Sequence, residues 1–260
     1  MGIINVTSDS FSGDGLAHST DEAVSKALCF LAYGVDIVDI GGESSRPSGI
    51  YGNVIAVPEE EEITRVISII KTIRAVSDVQ ISIDTYKANV AEEAINAGAN
   101  MVNNIWGTKR NKKLNEVLAN YSVDVVLMHN SANCEYRDVV ADSVEQLNLS
   151  ILDLKNHGVN DSKIIIDPGI GFGKNLTQNL EILNRLDEYR SIGKPILIGT
   201  SRKSMIGNIL NLPIDERIEG TASTVAVSII KGANIIRVHD VKEMTRVAKM
   251  TDAIVRVGGN

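Results

Sequence analysis

Val79-Gln-Ile-Ser-Ile-Asp84 and Asn100-Met-Val-Asn-Asn-Ile105 are two short apolar runs with polar ends, separated by an amphipathic segment that closes on Gly98. Two β-rich runs on either side of a helix-length segment make a βαβ unit, whose strands lie parallel. The same alternation extends outward. Upstream, Gly2 to Val6 and Asp36 to Ile40 read as strands; downstream, Val123 to Met128, Lys163 to Asp167, Pro195 to Gly199 and Asn234 to Val238 bring the set to eight. Eight parallel strands alternating with helices favour a closed (β/α)8 TIM barrel over an open sheet. The 260 residues, 43% hydrophobic and 23% charged, suit one such domain spanning residues 1–260. Gly34, Gly98, Gly158 and Gly232 stand where helix C′ residues would, Ser19 with Glu22 reads as a capping box, and Pro58 reads as lying just inside a glutamate-rich helix start.

Composition excludes several classes of function. A net charge of −7 argues against nucleic acid as the principal partner, because a surface that tracks phosphates needs a basic stripe. No apolar run approaches the roughly 18 residues that cross a bilayer, and the N-terminus lacks the features of a signal peptide, so no membrane partner and a cytoplasmic location are expected. Cys29 and Cys134 form no CxxC pair and are expected as free thiols.

The unusual polar residues fall at or just after the C-terminal ends of the strands, where a barrel builds its active site. Asn5 ends the first run, Gly41 to Pro47 follow the second, Asp84 ends the third and Asn103 lies near the end of the fourth. His129 and Asn130 follow the fifth, Asp167 ends the sixth, Ser201, Arg202 and Lys203 follow the seventh, and Arg237 and His239 close the eighth. Taken singly, each has an ordinary reading as a loop, cap or salt-bridge residue. Together, Arg46, Arg202, Lys203, Arg237 and His239 would converge on one face and suit a multiply charged phosphate-type ligand. Arg237 and His239 alternate, so both would aim into the same mouth. Asp84, Asn103 and Asp167 offer acceptors and an amide suited to a flat heterocycle with several N–H groups. His129 reads as a packed strand-end residue, since no serine or cysteine is paired with it. Neither DxD nor HxH spacing occurs, which argues against an all-protein metal cage and leaves room for Mg²⁺ held by substrate phosphate and water. The glycines at 169, 171 and 173 lack the dinucleotide fingerprint, so no nicotinamide cofactor is expected. Gly41 to Val57 and Trp106 to Lys112 lack periodicity and are candidate functional loops.

Several longer words carry a resemblance: Met1-Gly-Ile-Ile-Asn-Val-Thr-Ser-Asp-Ser-Phe-Ser12, Asp39-Ile-Gly-Gly-Glu-Ser-Ser-Arg-Pro47, Ser82-Ile-Asp-Thr-Tyr-Lys87, Asp167-Pro-Gly-Ile-Gly-Phe-Gly-Lys174, Thr200-Ser-Arg-Lys-Ser-Met-Ile-Gly207 and Arg237-Val-His-Asp-Val-Lys242. In order and spacing they resemble the dihydropteroate synthase family of pterin-binding enzymes from the first residue to the last helix. The resemblance implies condensation of 6-hydroxymethyl-7,8-dihydropterin pyrophosphate with p-aminobenzoate to give 7,8-dihydropteroate and pyrophosphate, in folate biosynthesis, with Mg²⁺ as cofactor. It further implies a homodimer and a sulfonamide target. Carried over position by position, Asn5 resembles the metal ligand, and Asp84, Asn103, Asp167 and Lys203 resemble the residues that hold the pterin. Phe172 is similar to the residue packed near the ring, and Ser45, Arg237 and His239 to the contacts with diphosphate or pterin edge. Phe11, Ser45, Arg46, Pro47 and Ser204 resemble walls of the aminobenzoate pocket, on or beside two mobile loops at Thr7 to Gly15 and Glu43 to Gly49. Arg46, Lys203, Arg237 and His239 are the residues the resemblance puts in catalysis. The chain departs from the family pattern at Ser8, Gly13-Asp14-Gly15, Ser45 and Asn104, where proline, Asp-Gly-Gly, threonine and aspartate are common. A pterin-dependent methyltransferase would share the Asp84, Asn103 and Asp167 pocket without needing the cationic cluster. A non-catalytic pterin-binding paralogue would be expected to have lost Asn5, Arg46, Lys203, Arg237 or His239, all of which are present.

Overall fold

The computed structural model describes residues 1–6, 16–43, 57–108, 111–255 and 257, with backbone alone at 16–19. Its strands are β1 (Gly2–Asn5), β2 (Ile37–Gly41), β3 (Gln80–Asp84), β4 (Met101–Asn104), β5 (Asp124–Met128), β6 (Ile164–Asp167), β7 (Leu197–Ile198) and β8 (Ile235–Ile236). The helices are α1 (Leu16–Ala32), α2 (Glu59–Val76), α3 (Ala88–Ala97), α4 (Lys112–Tyr121), α5 (Val139–Asn156), α6 (Leu176–Asn184), α7 (Ser204–Leu210), α8 (Ile218–Ile230) and α9 (Val241–Val255).

All eight strands sit where the apolar runs put them. β1 to β6 form one parallel sheet in chain order, and β7 pairs in parallel with β8. Two bridges close the ring, Ile166 with Ile196 between β6 and the approach to β7, and Gly2 with Val238 between β1 and the residue pair beyond β8. At the second seam the Ile3 amide donates to Val238 O (3.0 Å) and the Val238 amide to Met1 O (2.9 Å). The architecture is the expected (β/α)8 barrel. β7 and β8 are shorter than the five-residue runs because the amides of Asn234 and Ile235 both donate to Ile196 O (2.8 and 3.1 Å), a doubling that interrupts the regular ladder as a bulge does.

Strand residues alternate between two cores. Val38, Ile40, Ile81, Ile83, Val102, Val125, Leu127, Ile164 and Ile166 pack outward against helix residues such as Val66, Ile69, Ile70, Ile73, Val90 and Leu118. Residues of the opposite parity, Ile37, Met101, Val126, Ile165 and Leu197, join Met1 and Ile235 in a small separate cluster that fills the barrel interior towards its N-terminal end. Continuing that inward parity along each strand leads to Asn5, Asp39, Asp84, Asn103, Asp167 and Arg237. The interior is therefore apolar at one end and charged at the other.

Helix ends are fixed locally, partly by signals the sequence offered and partly by others. Gly98 caps α3 at φ 119° and donates to Ala94 O and Ile95 O, a conformation only glycine adopts freely. Asp138 caps α5 by accepting from the amides of Val140 and Ala141, and Asn175 with Gln178 forms a capping box on α6. The box expected at Ser19 and Glu22 is not at a helix start, because α1 already begins at Leu16. Pro58 precedes α2 as its cap rather than lying inside it, with four glutamates in the first turn facing the positive end of the helix dipole. Cys29 and Cys134 are free and exposed, as expected. Among the described residues no helix is long and apolar enough to cross a membrane.

Candidate active site

Strand register levels the polar residues at one end of the barrel: Asn5 stands beside Gly41, Asp84 beside Asn103, and Asp167 beside Met128. Arg237 enters the same interior from the far side of the ring. Its Nε and Nη2 donate to Asp39 Oδ2 at 2.7 and 2.6 Å, and Nη2 reaches Asp84 Oδ2 at 2.8 Å. Burial disfavours the guanidinium charge, but Asp39 and Asp84 more than offset it, and the pKa of Arg237 is raised. Asp84 is pushed up to about 7, by burial above all, with Asp39, Glu62 and Asp167 adding to the effect against the pull of Arg237. Sequence reasoning singled out Arg237 and Asp84 but missed Asp39. The available signal was an aspartate in the middle of the apolar strand Ile37-Val-Asp39-Ile-Gly41, since a charge so placed needs a buried partner.

Asp167 lies on a second assembly. Its Oδ1 accepts from the Gly169 amide (2.7 Å), and burial raises its pKa. Gly169 has φ +74°, and a Cβ there would stand 1.9 Å from His129 O, so the turn can pass only as glycine. Lys174 fastens this turn from below, its Nζ donating to Gly169 O (3.0 Å), Phe172 O (2.9 Å) and His129 Nδ1 (2.9 Å). Burial pulls His129 down to about 3 and Lys174 to about 7. His129 is thus the packed, hydrogen-bonded strand-end residue expected. Lys174 was missed. Lys203 reaches over the same turn: its Nζ donates to Ile170 O and sits 4.9 Å from the centroid of the Phe172 ring. Burial draws Lys203 down to about 8, against the opposing pull of Asp167. Lys203, from the next βα loop, therefore meets the turn that carries Asp167 and Phe172.

The expected five-cation cluster is not borne out as drawn. Arg202, held at φ 57°, turns its Nε and Nη2 onto Asp240 (3.0 and 2.5 Å). It is a paired residue of the rim, because a nearby carboxylate on the next βα loop outcompetes an open site. His239 hangs on Ser201, through its backbone amide (3.1 Å) and Nδ1 (3.0 Å). Burial, helped by Arg237, Arg202 and Lys26, pulls it down to about 4, so it is uncharged near neutrality. Arg237 and His239 face one end of the barrel, but on different partners. Ser204 opens α7 in a half-buried position, and Asn5 ends β1 exposed. Phe11, Ser45, Arg46 and Pro47 lie outside the described residues.

The Trp106 to Lys112 loop lines a different space. Trp106, Thr108 and Lys112, with His129, Asn130 and Gln146, border a cavity of about 500 Å³ between the barrel rim and α5. Residues 109–110 of that loop lie outside the described residues.

Residues 1–239 match the family described as pterin binding enzyme. Dihydropteroate synthase of Clostridium beijerinckii is 53% identical over 257 residues, covering 98% of this chain and 94% of that one. Among solved structures, a dihydropteroate synthase from Clostridium difficile in the presence of pteroic acid superposes with a TM-score of 0.93 at 45% identity, covering 98% of this chain and 96% of that one. That of Xanthomonas albilineans with 4-aminobenzoic acid gives 0.91 at 36% identity, over 98% and 92%. A barrel whose charged end gathers Asp84, Asn103, Asp167, Lys203 and Arg237, with likeness of this extent at both sequence and structure level, leaves one assignment: the chain belongs to the pterin-binding enzyme family and, within it, to the dihydropteroate synthases.

Proposed function

We propose that this single barrel domain joins 6-hydroxymethyl-7,8-dihydropterin pyrophosphate to p-aminobenzoate, releasing pyrophosphate and 7,8-dihydropteroate, as a cytoplasmic enzyme of folate biosynthesis. The observation that carries the reading is the interior wall of Asp84, Asn103 and Asp167, with Lys203 reaching in above Phe172. A planar pterin presents an exocyclic amine and ring N–H groups, which the carboxylates accept, and ring acceptors, to which Lys203 and the Asn103 amide donate. Phe172 supplies an apolar face beside them. Ser204, with Phe11, Ser45, Arg46 and Pro47, is assigned to the aminobenzoate side.

Asn5 would hold Mg²⁺. An exposed amide oxygen at the barrel mouth fits a hard cation, and among the described residues no group of three His, Cys, Asp or Glu forms a cage, so most of its ligands would be substrate phosphate oxygens and water. When bound, the ion supplies positive charge to the diphosphate. The reacting bond joins the exocyclic methylene carbon to a diphosphate oxygen; its electrons leave with pyrophosphate, and the electron-rich dihydropterin spreads the positive charge left on carbon. The aminobenzoate nitrogen then bonds to that carbon and loses its proton. Arg46, Arg237 and His239 are assigned to the departing group. Asp39 and Asp84 keep Arg237 charged and fix its orientation, so it need not reorganise as charge develops. Uncharged His239 can contribute a neutral hydrogen bond. Because the aromatic amine is already a competent nucleophile, the protein's task is positioning and exclusion of water rather than covalent attack.

We also assign the exposed apolar residues Ile209 and Leu210 of α7, Val227 and Ile230 of α8, and Met250 and Ile254 of α9 to a homodimer face. Light scattering should return twice the mass of one chain, and a single-chain mass would remove the dimer. Incubation with dihydropterin pyrophosphate, p-aminobenzoate and Mg²⁺ should release pyrophosphate and dihydropteroate together, and EDTA should abolish both; folded protein that binds pterin without turnover would refute the activity. Asp167→Ala should weaken pterin binding by roughly a hundredfold, the loss expected for two charge-assisted hydrogen bonds, as read by calorimetry. Lys203 donates as an ammonium and titrates at about 8, so kcat/KM for the pterin substrate should fall as pH rises through that value. Lys203→Arg, which stays charged, should remove that limb, and an unchanged profile would take Lys203 out of the role.

A further inference from the structure

Residues 168–174, between β6 and α6, form a turn with little backbone order of its own. Gly169, Gly171 and Gly173 all lie at positive φ, 74°, 82° and 59°. Among the described residues, one backbone–backbone bond lies inside the turn, from the Phe172 amide to Gly169 O (3.1 Å). Glycines give such a segment more conformations to lose than other residues would, so its shape has to be fixed from outside. Two buried side chains do this. Lys174, 7% exposed, brings Gly169 O (3.0 Å) and Phe172 O (2.9 Å) to a single Nζ, which also meets His129 Nδ1 (2.9 Å) on the loop after β5. Asn179 of α6, 4% exposed, accepts from the Gly171 amide at Oδ1 (2.6 Å) and donates through Nδ2 to Lys174 O (3.2 Å) and Asn175 O (2.8 Å).

We infer that Lys174, assisted by Asn179, is a positioning residue for the pterin site: it fixes the turn that sets Asp167 and Phe172 against Lys203, and pterin affinity depends on it. The second part rests on the reaction proposed above. Among the described residues Lys174 forms no salt bridge, and its partners are carbonyls and an imidazole nitrogen. A buried amino group among neutral acceptors gives little net stability over an apolar side chain of the same length; what it supplies is direction. Two carbonyls three residues apart converge on one nitrogen, which a point donor on a flexible stem can serve and a planar guanidinium cannot. Both lie next to groups of the site. Gly169 O belongs to the residue whose amide orients Asp167 Oδ1, and Phe172 O to the residue whose ring lies 4.9 Å from Lys203 Nζ. Lys203 in turn donates to Ile170 O, between them, so a displaced turn would move all three pterin contacts together.

Lys174→Met keeps the stem and removes the donor. Calorimetry with 6-hydroxymethyl-7,8-dihydropterin pyrophosphate and Mg²⁺ should show Kd raised about tenfold, the scale of binding groups misplaced rather than lost, while KM for p-aminobenzoate at saturating pterin stays near that of the parent. A double-mutant cycle with Asp167→Ala separates positioning from general stability: a residue that acts through the turn should cost less than about threefold once Asp167 is gone. Hydrogen exchange should quicken in peptides covering residues 167–175 and stay unchanged in β1 to β3. Asn179→Ala, which releases the Gly171 amide, should move the same readouts in the same direction, and carries the test if Lys174→Met does not fold. An unchanged pterin Kd in the folded variants, the same loss with and without Asp167, or an equal loss of both substrates with faster exchange throughout the barrel would overturn the inference. A parent protein that binds no pterin, with exchange still quickening only at 167–175 in the variants, would refute the assigned substrate and the dependence on it, and leave Lys174 as the anchor of the turn.

Discussion

Among the described residues, Asp39, Asp84 and Asp167 share the charged end of this barrel with Arg237 and Lys203, and Arg237 between Asp39 and Asp84 makes that arrangement possible. Ionised carboxylates on neighbouring parallel strands would repel strongly in a desolvated interior, and the guanidinium meets both with directed bonds of 2.6 to 2.8 Å. Asp39 takes two of the contacts and is wholly buried. Asp84 is thereby left partly free towards the mouth, with its proton affinity raised. The apolar plug of Met1, Ile37, Met101, Val126, Ile165, Leu197 and Ile235 beneath keeps water out of the floor. The opposite wall is tuned by other means: a turn that only glycine can make, pinned by Lys174, presents Asp167 and Phe172 to Lys203.

Much of this was legible in the sequence for a simple reason. A strand alternates with period two, so once the apolar runs were located, the inward parity of Asp84, Asn103, Asp167 and Arg237 followed, and all four are found there. Hidden partners were not legible. Asp39 pairs with a residue 198 positions away, and the acceptors of Lys87 lie 44, 30 and 25 positions from it; a charge within an apolar strand signals that a partner exists, but no local pattern says which. Arg202 was misread for the complementary reason. Its charge suited a phosphate, but Asp240, 38 residues on, claims it, and spacing alone cannot tell a cation kept open for a ligand from one already paired. The capping box read at Ser19 failed because α1 already begins at Leu16, which leaves Ser19 within the helix.

The loops divide in the same way. The turn after β6 is held by its own hydrogen bonds, whereas Glu43 and Val57, on either side of the β2–α2 connection, both bond Lys87 far along the chain. Within the word that opens at Asp39, Asp39 and the glycines belong to barrel geometry: Asp39 pairs with Arg237, and Gly42 packs against α2.

The seam between β1 and the end of β8 has a temporal side. Its partners, Gly2 and Val238, are far apart in the chain, and the Met1 nitrogen donates to Ile236 O. During synthesis the first six strands can assemble in order from neighbours, but the ring cannot close before residue 238 has left the ribosome. Until then Asp39 and Asp84 sit on an open sheet without their guanidinium, facing water. The strand that closes the ring thus also brings the residue that neutralises the interior, so closure of the barrel and completion of its charge balance are a single event.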